Sequence, residues 1–548
     1  MNRGMLQPSR DESDVSETSR FSKPPSLRLW ALVLLLPFAL VVATLTLRGS
    51  NEAQGDPGQL QEAAWNLPDR TRPPVLRDVT DEWALGNRLT DERIDQMAGG
   101  VAVGDLDRDG DLDLVVAHGC VDVYLWDGEQ FGPPTGVGGA ALAVSVFDVD
   151  NDGWLDLLVA RSGDTDLLIW GGPWVTRGEM PIEVTPLAGA APTAALLAGE
   201  LSGDGRIDIA RLGRGTHRGM PDIVWVADPT QPRLFRSEPL GDDSRLSLAG
   251  ELADVDEDGL LDVWVTRDVG WDTGGDSLYS RRGDPSGPWV DIADELGVDL
   301  EADAMGVTIA DLNDDLVLDA YISDLGDNEV LYGGEVGFEV ATDTGAARIR
   351  PPGAPDNVIS SSWASGATDI NLDGRLDLVV MNGGFASGGM RNKIPGTEIA
   401  INDPPAILLG IGDGRFVDVW PELGLATGGS SRGFTIADFD GDGDDDFVLI
   451  ESDGALRAFR NDTPGSTVTI AAGPECDATG VVVSVQANDL IYTTLLRSHA
   501  FGGNHAPTVT VGLDGSSATI NARWVGGRTT LLEASGGDQR QRLVATCE

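Results

Sequence analysis

Lysine is nearly missing from this chain: of 38 basic residues only Lys23 and Lys393 are lysines, so Schiff-base catalysis and lysine acetylation have almost nothing to act on. The bias toward arginine reads as that of a GC-rich bacterial genome. Histidine is scarce too, and no two of His118, His217, His499 and His505 stand i, i+4 as a zinc-protease helix requires. His499 and His505 flank a Phe-Gly-Gly-Asn turn, where hydrogen bonding inside their own domain is the simplest reading. The three cysteines form no Cys-x-x-Cys, and no phosphate-binding loop is present. Arg282-Gly283-Asp284 matches an adhesion tripeptide, in a chain so rich in these residues that chance accounts for it equally well.

Acid is what the chain has. Its 89 acidic residues outnumber the basic ones to a net charge of −51, which excludes nucleic acid and an anionic membrane surface as direct partners, since both need a positive face. The acid is patterned as seven nonapeptides with oxygen-bearing side chains at positions 1, 3, 5 and 9. They are Asp105, Asp107, Asp109, Asp113; Asp148, Asp150, Asp152, Asp156; Glu200, Ser202, Asp204, Asp208; and Asp254, Asp256, Asp258, Asp262. The last three are Asp311, Asn313, Asp315, Asp319; Asp369, Asn371, Asp373, Asp377; and Asp438, Asp440, Asp442, Asp446.

Hard oxygens crowded this closely repel one another unless a divalent cation sits among them, and Ca²⁺ accepts six to eight oxygens in a flexible shell. Each copy therefore reads as a Ca²⁺ loop, up to seven in all. Position 6 is glycine in six copies, as a turn with positive φ demands, and Leu316 breaks that rule. The copies beginning at Glu200 and Asp311 depart furthest from the pattern, the first in ligand length and charge, the second through Leu316. An EF-hand needs a bidentate Glu at position 12 and flanking helices, whereas position 12 is here Val116, Val159, Arg211, Val265, Ile322, Val380 and Leu449. Alternation such as Leu112, Leu114, Val116 has the period of a strand with one buried face, so each loop joins two antiparallel strands.

Repeats of this size, with short strands and Gly-rich turns, are blades that cannot bury their faces alone. Five residues before each loop stands a small residue (Gly100, Ala143, Ala195, Ala249, Gly306, Ala364, Gly433), as crowding around an axis requires. Outer strands are expected at Trp289–Ile292 and Phe416–Val419. After the seventh hairpin, Phe434 to Arg460, no such strand follows, so Val75 to Thr80 is expected to pair with the last blade and close the ring.

The loops, with lead-ins such as Gly306 to Asp311 and Gly433 to Asp438, resemble the FG-GAP/VCBS repeats of integrin α-chain propellers over roughly residues 75–460. Residues 465–548, with Gly480-Val-Val-Val-Ser-Val, Ser498-His-Ala-Phe501-Gly-Gly, Val511-Gly-Leu513 and Ala522-Arg-Trp524-Val-Gly-Gly527, resemble the ASPIC/UnbV domain of cartilage acidic protein-like families. The resemblance implies a Ca²⁺-binding extracellular or envelope protein. Cys476 and Cys547 bracket this C-terminal region, which invites a disulfide in an oxidising compartment, while Cys120 reads as a small packing group.

Leu29 to Leu47 is apolar enough and long enough to span a bilayer, preceded by Arg20, Lys23 and Arg28. The expected organisation is all-β apart from that helix: a cytoplasmic tail 1–28, a transmembrane signal anchor 29–48, a linker 49–74, a seven-bladed β-propeller 75–464 with Ca-binding hairpin loops, and a small β domain 465–548. The bulk of the chain is then extracytoplasmic, in the periplasm or at the cell surface, anchored or secreted after cleavage. Two functional readings stay open: a non-enzymatic binding or adhesion module for a carbohydrate or protein ligand, and a Ca-dependent polysaccharide lyase or hydrolase on the same scaffold. A purely structural role in the envelope is a third.

Overall fold

Wherever a nonapeptide occurs, the strands on either side pair in one register. The residue before position 1 lies opposite position 9 in every copy: Gly104 with Asp113, Phe147 with Asp156, Gly199 with Asp208, Ala253 with Asp262, Ala310 with Asp319, Thr368 with Asp377 and Ala437 with Asp446. This is seen in a computed structural model that describes residues 71–547, apart from 87–98, 215–220, 385–397 and a few shorter stretches. The expected membrane span 29–47 and the tail before it lie outside the described residues; among those described, no helix is long and apolar enough to cross a membrane.

Two further strands complete each hairpin, giving sheet I (residues 100–138), II (143–190), III (193–239), IV (247–291), V (304–340) and VI (362–418). Sheet VII takes residues 431–461 and borrows its fourth strand, Leu76–Asp78, from the start of the described chain. The first strands neighbour one another in order, and that of sheet VII returns to that of sheet I, so the architecture is all-β and propeller-like. The expected outer strands are present as Val290–Asp291 and Phe416–Asp418. Each runs into a single helical turn, Ala293–Leu296 and Trp420–Leu423, ended by Gly297 and Gly424 in left-handed conformation.

One expectation is corrected. The second strand of each hairpin was read as buried on one face, but Asp113–Ala117, Asp156–Ala160, Asp208–Gly213 and Asp262–Arg267 are buried along their whole length. Each sheet is sandwiched between two others near the axis, so both faces of its inner strands meet apolar neighbours. Partial exposure returns only outward, as in Phe235–Pro239.

Crowding explains the small residues five before each loop. A Cβ on Gly433 would lie 1.7 Å from the Gly99 carbonyl oxygen, and one on Gly306 would lie 3.0 Å from that of Trp363. The closing strand pairs Leu76 with Asn461 and Asp78 with Phe459, and Val79 N–H donates to Ala458 at 2.9 Å. Trp83, 2% exposed, then packs edge-on against Trp126, Phe131 and Phe439, tying sheet VII to sheet I. Trp83→Ala should therefore cost about 3–5 kcal/mol. Deletion of residues 70–85 should lower the melting temperature by more than that single substitution, measured by calorimetry; an unchanged melt would show that the ring does not depend on this strand.

Residues 465–547 do not stand apart from the sheets. Leu490–Leu495, Val482–Ala487, Ala518–Arg523 and Thr529–Ala534 extend sheet V beyond its first strand, through Ala310 opposite Thr494. Thr467–Ala472 lies between Thr508–Gly512 and Arg540–Ala545 in a three-stranded sheet. Cys476 and Cys547 are bonded, with a Cα–Cα distance of 5.8 Å, joining the two ends of this region.

Candidate metal centres and the axial hairpin

Each nonapeptide is held by the same hydrogen bonds. The position 9 carboxylate accepts from the N–H of position 2 in all seven loops, at 2.7 to 3.1 Å. Its other oxygen accepts from a backbone N–H on or just after the third strand in six, through Trp126, Gly171, Ala227, Gly333, Gly410 and Asn461. Position 5 accepts from the N–H of position 7, and position 1, where it is Asp, from that of position 6. Glu200 is one methylene longer and folds back onto Ser202, Gly203 and Asp204 instead.

Two positive φ values make the turn. Position 6 has φ between 72° and 100° throughout, Leu316 at 72° included. Position 4, which carried no signal in the sequence, is also left-handed in all seven: Arg108, Asn151, Gly203, Glu257, Asp314, Leu372 and Gly441. Asn151, Asp314 and the two glycines suit that conformation, so the remaining three loops, with Arg108, Glu257 and Leu372, hold strain of about 1–2 kcal/mol each at this position.

This turn gathers positions 1, 3 and 9. In the loops Asp105–Asp107–Asp113, Asp148–Asp150–Asp156, Asp254–Asp256–Asp262 and Asp438–Asp440–Asp446, one carboxylate oxygen from each of the three lies within 4.8 Å of the others. Position 5 (Asp109, Asp152, Asp258, Asp442) is outside that group. In the other three loops a neutral oxygen of Ser202, Asn313 or Asn371 stands at position 3, so no third carboxylate joins positions 1 and 9.

Burial pushes the carboxyls of Asp113, Asp156, Asp262 and Asp319 up to about 8, Asp438 to about 7 and Asp208 to about 6. Asp369 and Asp377, fully buried, are held well above the usual range by burial and by the neighbouring Asp373. Several of the oxygens are also buried without a hydrogen-bond partner: Asp254 Oδ1 and Asp262 Oδ1 in the fourth loop, Asp150 Oδ1 in the second, Asn313 Oδ1 in the fifth and Asp438 Oδ1 in the seventh. A cation among them would supply both the missing partner and the missing charge. Arginine covers two loops from outside: Arg233 meets Asp150 at 2.5 Å and Asp152 at 3.1 Å, and Arg540 meets Asp442 at 2.5 Å.

What the sequence reading missed lies at the axis. The hairpin His499–Ala500 and Gly503–Asn504 is inserted among the first strands of the ring and touches those of sheets I, II, IV, V, VI and VII. Correcting the expected local turn, His499 bonds to Glu251 of sheet IV through both its N–H and its Nδ1, at 2.8 Å each, and both residues are fully buried. Asn504 Oδ1 accepts from Val146 N–H at 2.9 Å, and its carbonyl accepts from Thr435 Oγ1 at 2.9 Å. His505 Nδ1 accepts from Ile436 N–H at 3.1 Å, which fixes that ring neutral. Burial lowers its pKa to about 4. A depressed histidine stabilises the fold above its unfolded pKa of about 6.5 and loses that contribution as pH falls to about 4. His505→Gln should thus flatten the acid limb of the melting curve between those values, by about 3 kcal/mol.

Other sequence features resolve as structure. Asp284 of the Arg-Gly-Asp tripeptide caps a turn by accepting from Ser286 N–H and Oγ, while Arg282 is paired with Glu295. Gly429-Ser-Ser431-Arg-Gly433 has the Gly-x-Ser-x-Gly spacing of a nucleophile elbow, which the sequence reading passed over, but Ser431 begins a buried strand, Ser431–Ala437, that continues into the next hairpin rather than a helix among the described residues.

The repeat geometry defines a ring-forming, hairpin-loop class of β protein. Within it, residues 105–159, 148–210 and 369–449 match the FG-GAP-like repeat family. No curated protein matches the chain. Among solved structures, similarity is found to BBS1N in complex with ARL6DN, at 13% identity over 68% of this chain and 96% of that one, with TM-score 0.39. The WD40 domain of Toxoplasma gondii coronin is similar at 11% identity over 72% and 87%, TM-score 0.39. An Agrocybe aegerita lectin that recognises non-reducing terminal N-acetylglucosamine is similar at 16% over 67% and 91%, TM-score 0.36.

Proposed function

We propose that the chain is a seven-bladed, calcium-stabilised FG-GAP β-propeller that acts as an extracytoplasmic binding module, tethered to a membrane through residues 29–47, for a carbohydrate or protein ligand. One observation carries the metal reading: of seven loops built in one register, four gather three carboxylates each, and several buried oxygens of the loops lack a partner. Positions 1, 3 and 9 would hold the ion in the four all-carboxylate loops. When bound, calcium supplies positive charge and oxygen coordination without redox chemistry. The chain's own part is to fix the oxygens: position 9 between loop and third strand, position 1 on the position 6 amide, position 5 on the position 7 amide. Charge neutralisation then keeps each hairpin closed while ligand contacts fall on the sheet edges and connecting loops.

Calcium rather than magnesium fits, because carboxylates tied into several backbone hydrogen bonds cannot rearrange to a tight octahedron. A binding role fits a scaffold whose buried acids are taken up by structure. The test is a metal count on the purified protein by mass spectrometry, with a glycan array and a reducing-end release assay beside it. Four or more calcium ions per chain and ligand retention without turnover are expected; calcium-dependent release of reducing ends would replace the binding module by an enzyme.

A further inference from the structure

A groove of ≈ 1110 Å³ opens between sheets III and IV, with Ser202 of the third nonapeptide at its rim. Its lining differs from the acidic surface around it. Three arginines, Arg236, Arg245 and Arg281, stand with two acids, Glu238 and Asp291, beside Tyr279, Trp289 and the prolines 239, 285 and 288. The charges are pre-paired. Arg281 lies 4.3 Å over the Trp289 ring and donates to Leu201 O at 3.1 Å, Gly287 O at 2.5 Å and Glu238 at 2.8 Å. Arg245 donates to Gly275 O at 2.7 Å, Ser277 Oγ at 2.6 Å and Asp291 at 2.9 Å. Arg236 pairs with Glu238 and keeps 63% of its side chain exposed. Trp289 is 9% exposed, and its Nε1 has no hydrogen-bond partner.

We infer that this groove binds a neutral, hydroxyl-rich oligosaccharide. The inference rests on the binding-module reading and names its ligand class. Ion pairs held this way offer donors and acceptors side by side, which suits vicinal hydroxyls that accept from a guanidinium and donate to a carboxylate. The exposed apolar surfaces of Pro239, Pro285 and Pro288 suit the C–H faces of a sugar. A polyanion gains little from arginines already paired, and it approaches a chain of net charge −51. An extended peptide has no usable edge: Phe235–Pro239 ends in proline, and Val290–Asp291 is two residues long and follows Pro288.

The test is a panel of neutral hexasaccharides (glucose, mannose, galactose and N-acetylglucosamine series) with a uronic-acid hexamer as the charged arm, titrated calorimetrically against the full chain. At least one neutral hexamer should bind while the uronic-acid hexamer does not. Arg236→Ala, on an exposed strand where Glu238 keeps Arg281 as partner, should weaken that binding roughly 10-fold or more. Arg236→Lys should recover part of it, and Arg348→Ala, in the connection between sheets V and VI, should leave it unchanged. Melting curves show that each variant is folded. Neutral-hexamer binding that Arg236→Ala leaves intact overturns the groove and keeps the binding module; preference for the uronic-acid hexamer overturns the ligand class. A panel with no binding overturns the groove, and if protein partners are also absent, the module reading falls with it.

Discussion

Chelation should lower the melting temperature of this chain by about 10 °C, and calcium should restore it. Each of the four all-carboxylate loops would contribute about 2.7 kcal/mol at a calcium concentration 100-fold above its dissociation constant, so together they supply roughly 10 kcal/mol. In a domain this large, each kcal/mol moves the midpoint by about 1–2 °C. The effect also has a pH signature. The position 9 acids have folded pKa values raised by burial, to about 8 for Asp113, Asp156 and Asp262 and well above the usual carboxylate range for Asp446, and Asp438 at position 1 is raised to about 7. A raised folded pKa means that the metal-free fold holds more protons than the unfolded chain, so its stability falls as pH rises from about 4 toward 8. Calcium should remove that slope because the acids are then neutralised by metal. Differential scanning calorimetry in EDTA and in millimolar CaCl₂, at pH 5 and 8, checks both. Equal melts in the two buffers would end the calcium reading.

The second large effect is expected from one methyl group. A Cβ on Gly503 would lie 1.8 Å from the Val101 carbonyl oxygen and 2.6 Å from its carbon, both backbone atoms of an inner strand that cannot yield. Gly503→Ala should therefore expel the axial hairpin and leave Glu251, fully buried, without His499. Leaving a buried side chain without its hydrogen-bond partner costs about 1–3 kcal/mol, to which the displaced Asn504 and His505 contacts add. The expected result is loss of cooperative melting or of soluble protein, measured by calorimetry and size-exclusion chromatography. Gly526→Ala serves as control: its φ is also positive, at 83°, but a Cβ there meets nothing within 4 Å. If Gly503→Ala melts like the parent, the hairpin is not seated in the ring.

The hairpin also changes where a ligand can go. Ring proteins often bind at their axis, but here Phe501 sits against Trp363, with Arg432 over the same indole at 4.1 Å, and Asn504 bridges sheets I and II. The axis is filled by the chain itself. A ligand of the proposed binding module would therefore meet the outer sheet edges, which is where the groove between sheets III and IV lies.

The nonapeptide loops were legible because they are local: oxygen-bearing side chains within nine residues, glycine at position 6 and strand residues on both sides all fall inside one short window. The closing strand was legible for a related reason, since Val75 to Thr80 is the fourth strand that sheet VII otherwise lacks. Position 4 was not legible. Its left-handed backbone is imposed by the hydrogen bonds of positions 1 and 5, and Arg108, Glu257 and Leu372 adopt it against their own preference. Double-sided burial of the inner strands was missed because alternation reports on one sheet, whereas burial near the axis depends on two neighbouring sheets.

Sequence alone thus determined the repeat, its oxygen-bearing positions and the strand pair around each loop, since these depend on residues a few positions apart. Only the tertiary structure decided which carboxylates converge, that position 5 stands outside the group, and that His499 reaches Glu251 across 248 residues. Contacts of that span leave no periodic trace in a single sequence: they are fixed by ring closure, which brings seven first strands and one distant hairpin to the same axis.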